Sequence, residues 1–222
     1  MRLRYRIVQN QTRVKNRIKS LLHTRGFKIP EQFAGKNKRW SAAFIKWLKE
    51  DIKFNTSPGN FAFQNMIQQL LELREHNKNV LKQLRLEANK KEIAPIIQAI
   101  QSSAGVGFIT AMTFYTEIID IKRFSYEDQT NTFVGLVPST RSSDDNIYGN
   151  NISFRQNKFL RSLIIEAAWR AVREDPAMTL KYKELTKRMK PQEAIIRIAK
   201  KLVKRIRHLW LINDQYVYAL VA

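Results

Sequence analysis

The sequence predicts an all-α protein, built as a basic helical coiled-coil arm (1–92) followed by a compact helical domain (93–222) that contains a helix-hairpin-helix-like turn. Only seven glycines and six prolines interrupt the 222 residues. Apolar residues recur at steps of three and four over long segments, which places them on one face of a helix. The chain has no cysteine, so disulfides and cysteine-ligated metal sites are excluded and helix packing must stabilise the fold.

The arm is predicted to contain three helices. The first has a narrow stripe of mostly apolar residues, made of Ile7, Gln11, Val14, Ile18 and Leu21. Gly26 ends that helix, and a short amphipathic helix follows over 40–52. Ser57 is placed to cap a third and longer helix, predicted to run from about Asn60 to Glu92.

The long helix has heptad character, with two seam positions. One seam contains Phe63, Leu70, Asn77 and Leu84, and the other contains Met66, Leu73, Val80 and Glu87. A helix with one apolar stripe needs a partner, which either the first helix or a second copy of the chain could supply. Asn77 in the seam either specifies the pairing register or marks a polar crossing.

In the second part of the chain, the sequence pattern predicts six helices and one aperiodic stretch. The helices are expected over 93–102, over 108–119, from Ser125, over 157–174, from Pro176 capped by Asp175, and from Pro191 to about His208. Residues 135–153 form the longest stretch without periodicity. We therefore expect this stretch to be irregular.

The positive charge indicates a polyanionic partner. The net charge is +21 and the isoelectric point is near 10.4. Residues 1–28 carry nine basic and no acidic side chains, and residues 181–208 carry eleven basic and two acidic ones. Two such elements could bracket a nucleic acid, and the alternative is two solvated helix faces. No apolar run reaches the roughly 18 residues of a membrane span, so we expect no membrane partner.

The turn Gly105-Val106-Gly107 is a candidate phosphate-binding site. It joins two predicted helices by a very short connection, and glycines allow a backbone to approach a phosphate closely. The second helix would offer its free amides and positive dipole end to the anion. Such a contact binds phosphates without reading bases. Simple tight packing between helices is the alternative explanation.

Further candidates lie in the aperiodic stretch and on the last helix. A serine hydroxyl near several cations could attack a phosphodiester, because the cations stabilise charge on the phosphoryl oxygens. The residues are Ser143 with Arg141, Arg155, Lys158 and Arg161. A polar surface loop is the alternative. On the last helix, the basic residues predicted to contact phosphates are Lys200, Lys201, Lys204 and Arg205.

The order of motifs over 99–208 resembles a known family. The motifs are AGVGFITA, TEIIDIKRF, FVGLVPSTRSSDD, ISFRQNKFLRSLIIEAAWRAVREDPAM and YKELTKRMKPQEAIIRIAKKLVKRIR. This succession resembles the C-terminal part of the insertion-sequence 110/116/902-type transposases, relatives of the pilin-gene invertases. The first hundred residues, with QTRVKNRIKSLLHTRG, look like the helical linker that precedes this part.

The resemblance implies DNA transposition and recombination in a bacterial cytoplasm, near the nucleoid. It implies a serine nucleophile that forms a covalent link to DNA, and the matching residue here is Ser143. An N-terminal RuvC-like domain supplies acidic metal ligands in the family, so Mg²⁺ is expected only with that domain and no cofactor is expected in this chain. Implied partners are DNA, a structured guide RNA, a second copy of the chain, or a separate RuvC-like domain.

Two motif positions depart from the family pattern, and one group of residues is absent. The family's Ser-Gly is Ser143-Asp144 here, which places a carboxylate beside the nucleophile, and its apolar-Pro before the hairpin is Ser103-Ala104. Residues 1–49 contain one acidic residue, Glu31, so no RuvC-like carboxylate cluster is expected. We therefore expect a split, truncated or decayed transposase, and whether it is an enzyme alone stays open. The alternative function is a non-catalytic fragment that binds nucleic acid.

Overall fold

The chain folds as helices joined by short turns, and the predicted all-α class is confirmed. The computed structural model describes residues 1–35, 39–137, 141–143, 146–148 and 157–217. The helices there are α1 (Arg2–Thr24), α2 (Ala42–Glu50), α3 (Ser57–Ala88), α4 (Ala94–Ser102), α5 (Phe108–Ile118), α6 (Glu127–Val134), α7 (Lys158–Glu174), α8 (Pro176–Thr186) and α9 (Pro191–Ile212). Single 3-10 turns occur at Glu31–Phe33 and Ile121–Arg123.

Two compact units divide the chain, Met1–Arg85 and Leu86–Ala222. The sequence places its domain boundary a few residues later, near residue 92. The long helix α3 ends at Ala88, earlier than the predicted Glu92. Its coiled-coil character stays a prediction.

A short β-hairpin lies inside the stretch that the sequence predicts to be irregular. Strand β1 (Arg141–Ser143) pairs antiparallel with β2 (Asn146–Tyr148). In this register Ser143 lies opposite Asn146. Three-residue strands are too short to show a clear alternation of apolar and polar residues, so the sequence prediction missed them.

The first unit has an apolar core formed by all three of its helices. Its buried members are Val14, Ile18, Leu22, Phe33, Phe44, Ile45, Leu48, Ile52, Phe63, Ile67 and Leu70. The amide of Gln11 also joins α1 to α3, because its Nε2 donates to the carbonyl of Leu73 at 2.8 Å. Thus α1 is the partner that packs on the apolar stripe of α3, as one of the two sequence alternatives proposed.

The buried face of α3 includes a residue outside both predicted seams, because Ile67 is fully buried. The Oδ1 atom of Asn77 is buried without a hydrogen-bond partner. Whether Asn77 specifies a pairing register or marks a polar crossing therefore stays open.

The second unit is organised around α9, which contacts α4, α6, α7 and α8. The five residues of its predicted apolar stripe, Ile195, Ala199, Leu202, Ile206 and Leu209, are all buried. Four more residues of the same helix are buried with them, namely Ala194, Ile198, Val203 and Trp210. The α9 helix therefore lies at the centre of the core of this unit.

An ion pair connects the start of α8 to α9. Asp175 caps α8, as predicted, by accepting from the amides of Ala177 and Met178 at 2.9 and 3.4 Å. Its side chain is 2% exposed and pairs with Arg205, which is 13% exposed. Tyr216, beyond α9, donates its hydroxyl to Asp175 at 3.3 Å, and the Arg205 guanidinium lies 3.9 Å from its ring centroid.

The turn between α4 and α5 packs closely on α7. Gly105 adopts φ +77°, a conformation that favours glycine. A Cβ atom added there would lie 2.3 Å from the carbonyl oxygen of Ala167 and 2.6 Å from the amide nitrogen of Ala171. Nothing lies within 4 Å of a Cβ added at Gly107.

We expect Gly105→Ala to destabilise the protein far more than Gly107→Ala. A side chain at Gly105 meets the backbone of α7 and a strained φ, and together these should cost at least about 2 kcal/mol. The same change at Gly107 should cost less than about 1 kcal/mol. Urea unfolding followed by circular dichroism compares the two variants. Equal unfolding midpoints would contradict the close approach of the turn to α7.

Candidate nucleic-acid interface

The turn between α4 and α5 borders an open cavity of about 190 Å³. Residues 101–107 line it together with Arg170 and Glu174 of α7. Gly107 is the N-cap of α5, and the first turn of α5 contains no acidic residue. The first amides of a helix lack intrahelical acceptors, so this end of α5 can attract an anion.

A carboxylate already occupies part of this turn. The amide of Gly105 donates to Oε2 of Glu174 at 3.0 Å, and Oε1 of Glu174 lies 3.5 Å from Nη2 of Arg170. The amide of Val106 donates to the carbonyl of Ser103 at 3.1 Å, and the Val106 side chain is buried. Two of the three predicted phosphate-binding residues therefore have their amides engaged within the protein, and Gly107 is the exposed one.

Sequence reasoning missed Glu174, because it lies 69 positions from Gly105. Its side chain is 46% exposed, so solvent and ions reach it. Ser103, which lines the same cavity, has a buried hydroxyl without a hydrogen-bond partner. An unpaired buried hydroxyl costs stability. The turn therefore has a buried polar side chain behind its exposed backbone.

Ser143 is the last residue of β1, and its backbone pairs with Asn146. The backbone of the predicted nucleophile therefore lies at the end of β1, where this strand pairs with the start of β2. Arg141 lies two residues earlier on the same strand. Asp144, Asp145 and Arg155 fall outside the described residues.

The N-terminus of α7 holds two of the predicted cations. Lys158 is exposed, and Arg161 is half-buried one turn later. Burial lowers the pKa of Arg161. Asn157 caps the helix by accepting from the amide of Leu160 at 3.1 Å, and its own Nδ2 donates to Oε2 of Glu117 at 2.6 Å. Glu117 was missed by sequence reasoning, since it is 40 positions away.

The four predicted cations of α9 separate into two groups. Lys201 is exposed and Lys200 is half-buried. Lys204 pairs with Glu127 of α6 at 2.8 Å, and Arg205 is held inside the fold by Asp175. Phosphate contacts of all four side chains stay predictions, although Lys204 and Arg205 already pair with carboxylates of the protein.

In the described part of the chain, no group of three or more histidine, aspartate or glutamate side chains could hold a metal ion. Within the same residues, no helix is long and apolar enough to cross a membrane.

Comparison with known proteins gives a family match within the second unit. Residues 97–183 match the model of the transposase IS116/IS110/IS902 family. Over 168 residues the chain is 29% identical to the transposase for insertion sequence element IS1111A of Coxiella burnetii (strain RSA 493 / Nine Mile phase I), covering 76% of this chain and 44% of that protein.

A second relative is "Putative transposase y4qE" of Sinorhizobium fredii (strain NBRC 101917 / NGR234). It is 28% identical over 131 residues, which cover 59% of this chain and 30% of the relative. The chain thus spans less than half the length of the two relatives. These findings confirm the resemblance in motif order: residues 97–183 match the transposase IS116/IS110/IS902 family, and both relatives carry the name of a transposase.

Proposed function

We propose that this chain is a transposase subunit that binds DNA and carries the nucleophile Ser143 for attack on a DNA phosphodiester. The observation that carries the proposal is the family match over 97–183, which includes both Ser143 and the turn at Gly105. The net charge of +21 supports a nucleic acid as the partner. The relatives' printed names support transposition as the process.

In the proposed step, the Ser143 oxygen loses its proton and bonds to phosphorus. The phosphorus–oxygen bond to one deoxyribose breaks, and that sugar oxygen leaves and takes up a proton. One phosphoester bond replaces another, so no oxidant or reductant is needed. Arg141, Arg155 and Arg161 are the cations proposed to stabilise the charge that develops on the phosphoryl oxygens. The proposed partners besides DNA are a structured guide RNA and either a second copy of the chain or a separate RuvC-like domain.

The α4–α5 turn is proposed to hold the DNA backbone. Gly107 and the N-terminus of α5 can receive a phosphate directly. For a phosphate to reach the amide of Gly105, the carboxylate of Glu174 must first move away. Because Glu174 is partly exposed and its other oxygen has only a loose contact with Arg170, its displacement is physically reasonable.

A second candidate function is binding without chemistry. Asp144 stands directly after Ser143, where the family has glycine. A carboxylate at this position would repel an incoming phosphate and raise the cost of forming an alkoxide. In this reading the chain retains its basic elements and binds DNA or guide RNA as a non-catalytic module.

The salt dependence of DNA binding tests the shared part of both candidates. If six to ten phosphates are contacted, the slope of log K against log salt on duplex DNA should be on the order of −5 to −9. Lys200→Gln/Lys201→Gln should reduce the magnitude of that slope by about 2, because each lysine contributes about one phosphate contact. Fluorescence anisotropy over a salt series measures it. A slope near zero would exclude nucleic acid as the partner.

Replacing Glu174 tests the role of the turn. Glu174→Gln should bind DNA about fivefold more tightly, since it removes a repulsion of about 1 kcal/mol between two charges near 4 Å in water. The matched control is Glu166→Gln, an exposed carboxylate on the same helix. Equal gains in both variants would mean that only net charge matters and that the turn does not hold phosphate.

Ser143→Ala tests the chemical step. The variant should form no covalent DNA adduct on a denaturing gel, while Ser142→Ala should still form one and both should bind DNA normally. The assay is run with the chain alone and with a RuvC-like domain added as a separate chain. An adduct with Ser143→Ala would refute the assignment. Normal binding without an adduct from the unsubstituted protein in either arm would favour the non-catalytic candidate.

A further inference from the structure

Trp40, just before α2, has an unusual backbone conformation. Its φ is +70°, a region that bulky residues rarely adopt. The ring is anchored edge-on against Phe44, with ring centroids 5.3 Å apart. On the backbone side, Nη2 of Arg74 donates to the Trp40 carbonyl at 2.6 Å. Strained residues of this kind persist only where surrounding contacts hold them, and they concentrate at binding sites.

Two lysines of α1 complete a group of cations around the same residue. The Nζ atoms of Lys15 and Lys19 lie 5.8 and 6.0 Å from the centroid of the Trp40 ring. They are one helical turn apart, so both reach the same ring. We call Lys15, Lys19, Arg74 and Trp40 the Trp40 cluster.

No described carboxylate forms an ion pair with the three cations of the Trp40 cluster. The acidic residues next to Arg74 on α3 are engaged elsewhere, since Glu75 pairs with Lys78 at 3.5 Å and Glu72 accepts from Gln68 at 3.0 Å. Burial, then the charges of Arg74 and Lys19, lower the pKa of Lys15. Burial also lowers the pKa of Arg74. Three half-buried cations thus repel one another without an internal counter-ion.

The core of the first unit does not require these charges. Its buried members are apolar and lie on the facing sides of the three helices. Burial of the apolar core therefore does not account for three cations at one place, whereas an incoming anion would gain from all three at once. An arginine fork beside two ammonium groups suits the several oxygens of a phosphate.

We propose that the Trp40 cluster is a binding site for a phosphodiester of a nucleic-acid backbone. This inference rests on the proposed function, because it assigns the nucleic acid a specific contact on the arm. A nucleic acid is favoured over a free anion because α1 continues the basic surface. Its Arg13 and Arg17 are exposed, and exposed Arg39 immediately precedes Trp40. Successive phosphates could therefore meet successive cations.

The test uses Lys15→Gln/Lys19→Gln in the full chain, with Lys49→Gln/Lys82→Gln as the control of equal charge on exposed sites of the same unit. Arg74 is left intact because it also holds the Trp40 carbonyl. Binding to a duplex DNA and to a hairpin RNA is measured over a salt series. We expect the cluster variant to bind at least one of them about tenfold more weakly than the control, with a slope smaller in magnitude by about 2.

Intrinsic fluorescence gives a local readout. Nucleic acid should change the tryptophan emission of the unsubstituted protein, and Trp40→Phe should abolish most of that change. The cluster variant should also unfold at the same or a higher urea concentration than the unsubstituted protein, because a repulsion is relieved. A lower midpoint would indicate a structural role and overturn the proposal.

The outcomes separate this proposal from the proposed function. Normal nucleic-acid binding, with the cluster variant equal to its control and the emission change retained in Trp40→Phe, would overturn the Trp40 cluster alone. Absence of binding to both nucleic acids at every salt concentration would overturn both. A response to DNA only, or to RNA only, would support the site and identify which backbone it takes.

Discussion

The burial of α9 is the interaction on which the second unit depends. The helix contacts four others, and its apolar face forms the centre of the core. Because the apolar stripe must face inward, the basic residues of α9 are placed by the same rotation of the helix. Lys201 then points to solvent, whereas Arg205 is near enough to the core to need an internal carboxylate. One packing constraint therefore decides which cations of α9 can meet a partner.

Two neighbouring carboxylates of the second unit differ in burial and in partners. Glu174 and Asp175 are neighbours, yet they have different roles. Asp175 is buried, caps α8 and pairs with Arg205, so it is part of the fold. Glu174 is partly exposed and accepts from a turn amide, so a stronger anion could replace it. The carboxylate of Glu174 thereby supplies an acceptor for the Gly105 amide within the protein.

The first unit handles charge differently. Around Trp40, three cations converge and no described carboxylate pairs with them. The two units thus differ among the described residues: in the second a partly exposed carboxylate accepts from a turn amide, and in the first no carboxylate pairs with the three cations. In both cases the apolar core lies behind the charged surface and holds its geometry.

The sequence by itself determined the helical class, the Asp175 cap and the family resemblance. Its predicted cap at Ser57 is wrong, since Ser57 is the first residue of α3 and the amide of Gly59 donates to Thr56 instead. Proline at the start of α8 and α9, the cap at Asp175 and the apolar stripe of α9 are local signals, because helix formation depends on neighbours three and four residues away. The order of motifs over 99–208 likewise indicated the resemblance to the transposase family that residues 97–183 match. The total charge indicated a polyanionic partner but not where it would bind.

Only the tertiary structure decided which charged groups meet. Glu174 reaches Gly105 across 69 positions and Arg74 reaches Trp40 across 34, so no local pattern relates them. The partner of Arg205 is equally invisible in the local sequence. Its neighbours on α9 have the pattern of an exposed helix face, yet its guanidinium pairs with Asp175. Periodicity states which side of a helix is apolar, but the identity of a charged side chain's neighbour depends on how separate helices pack.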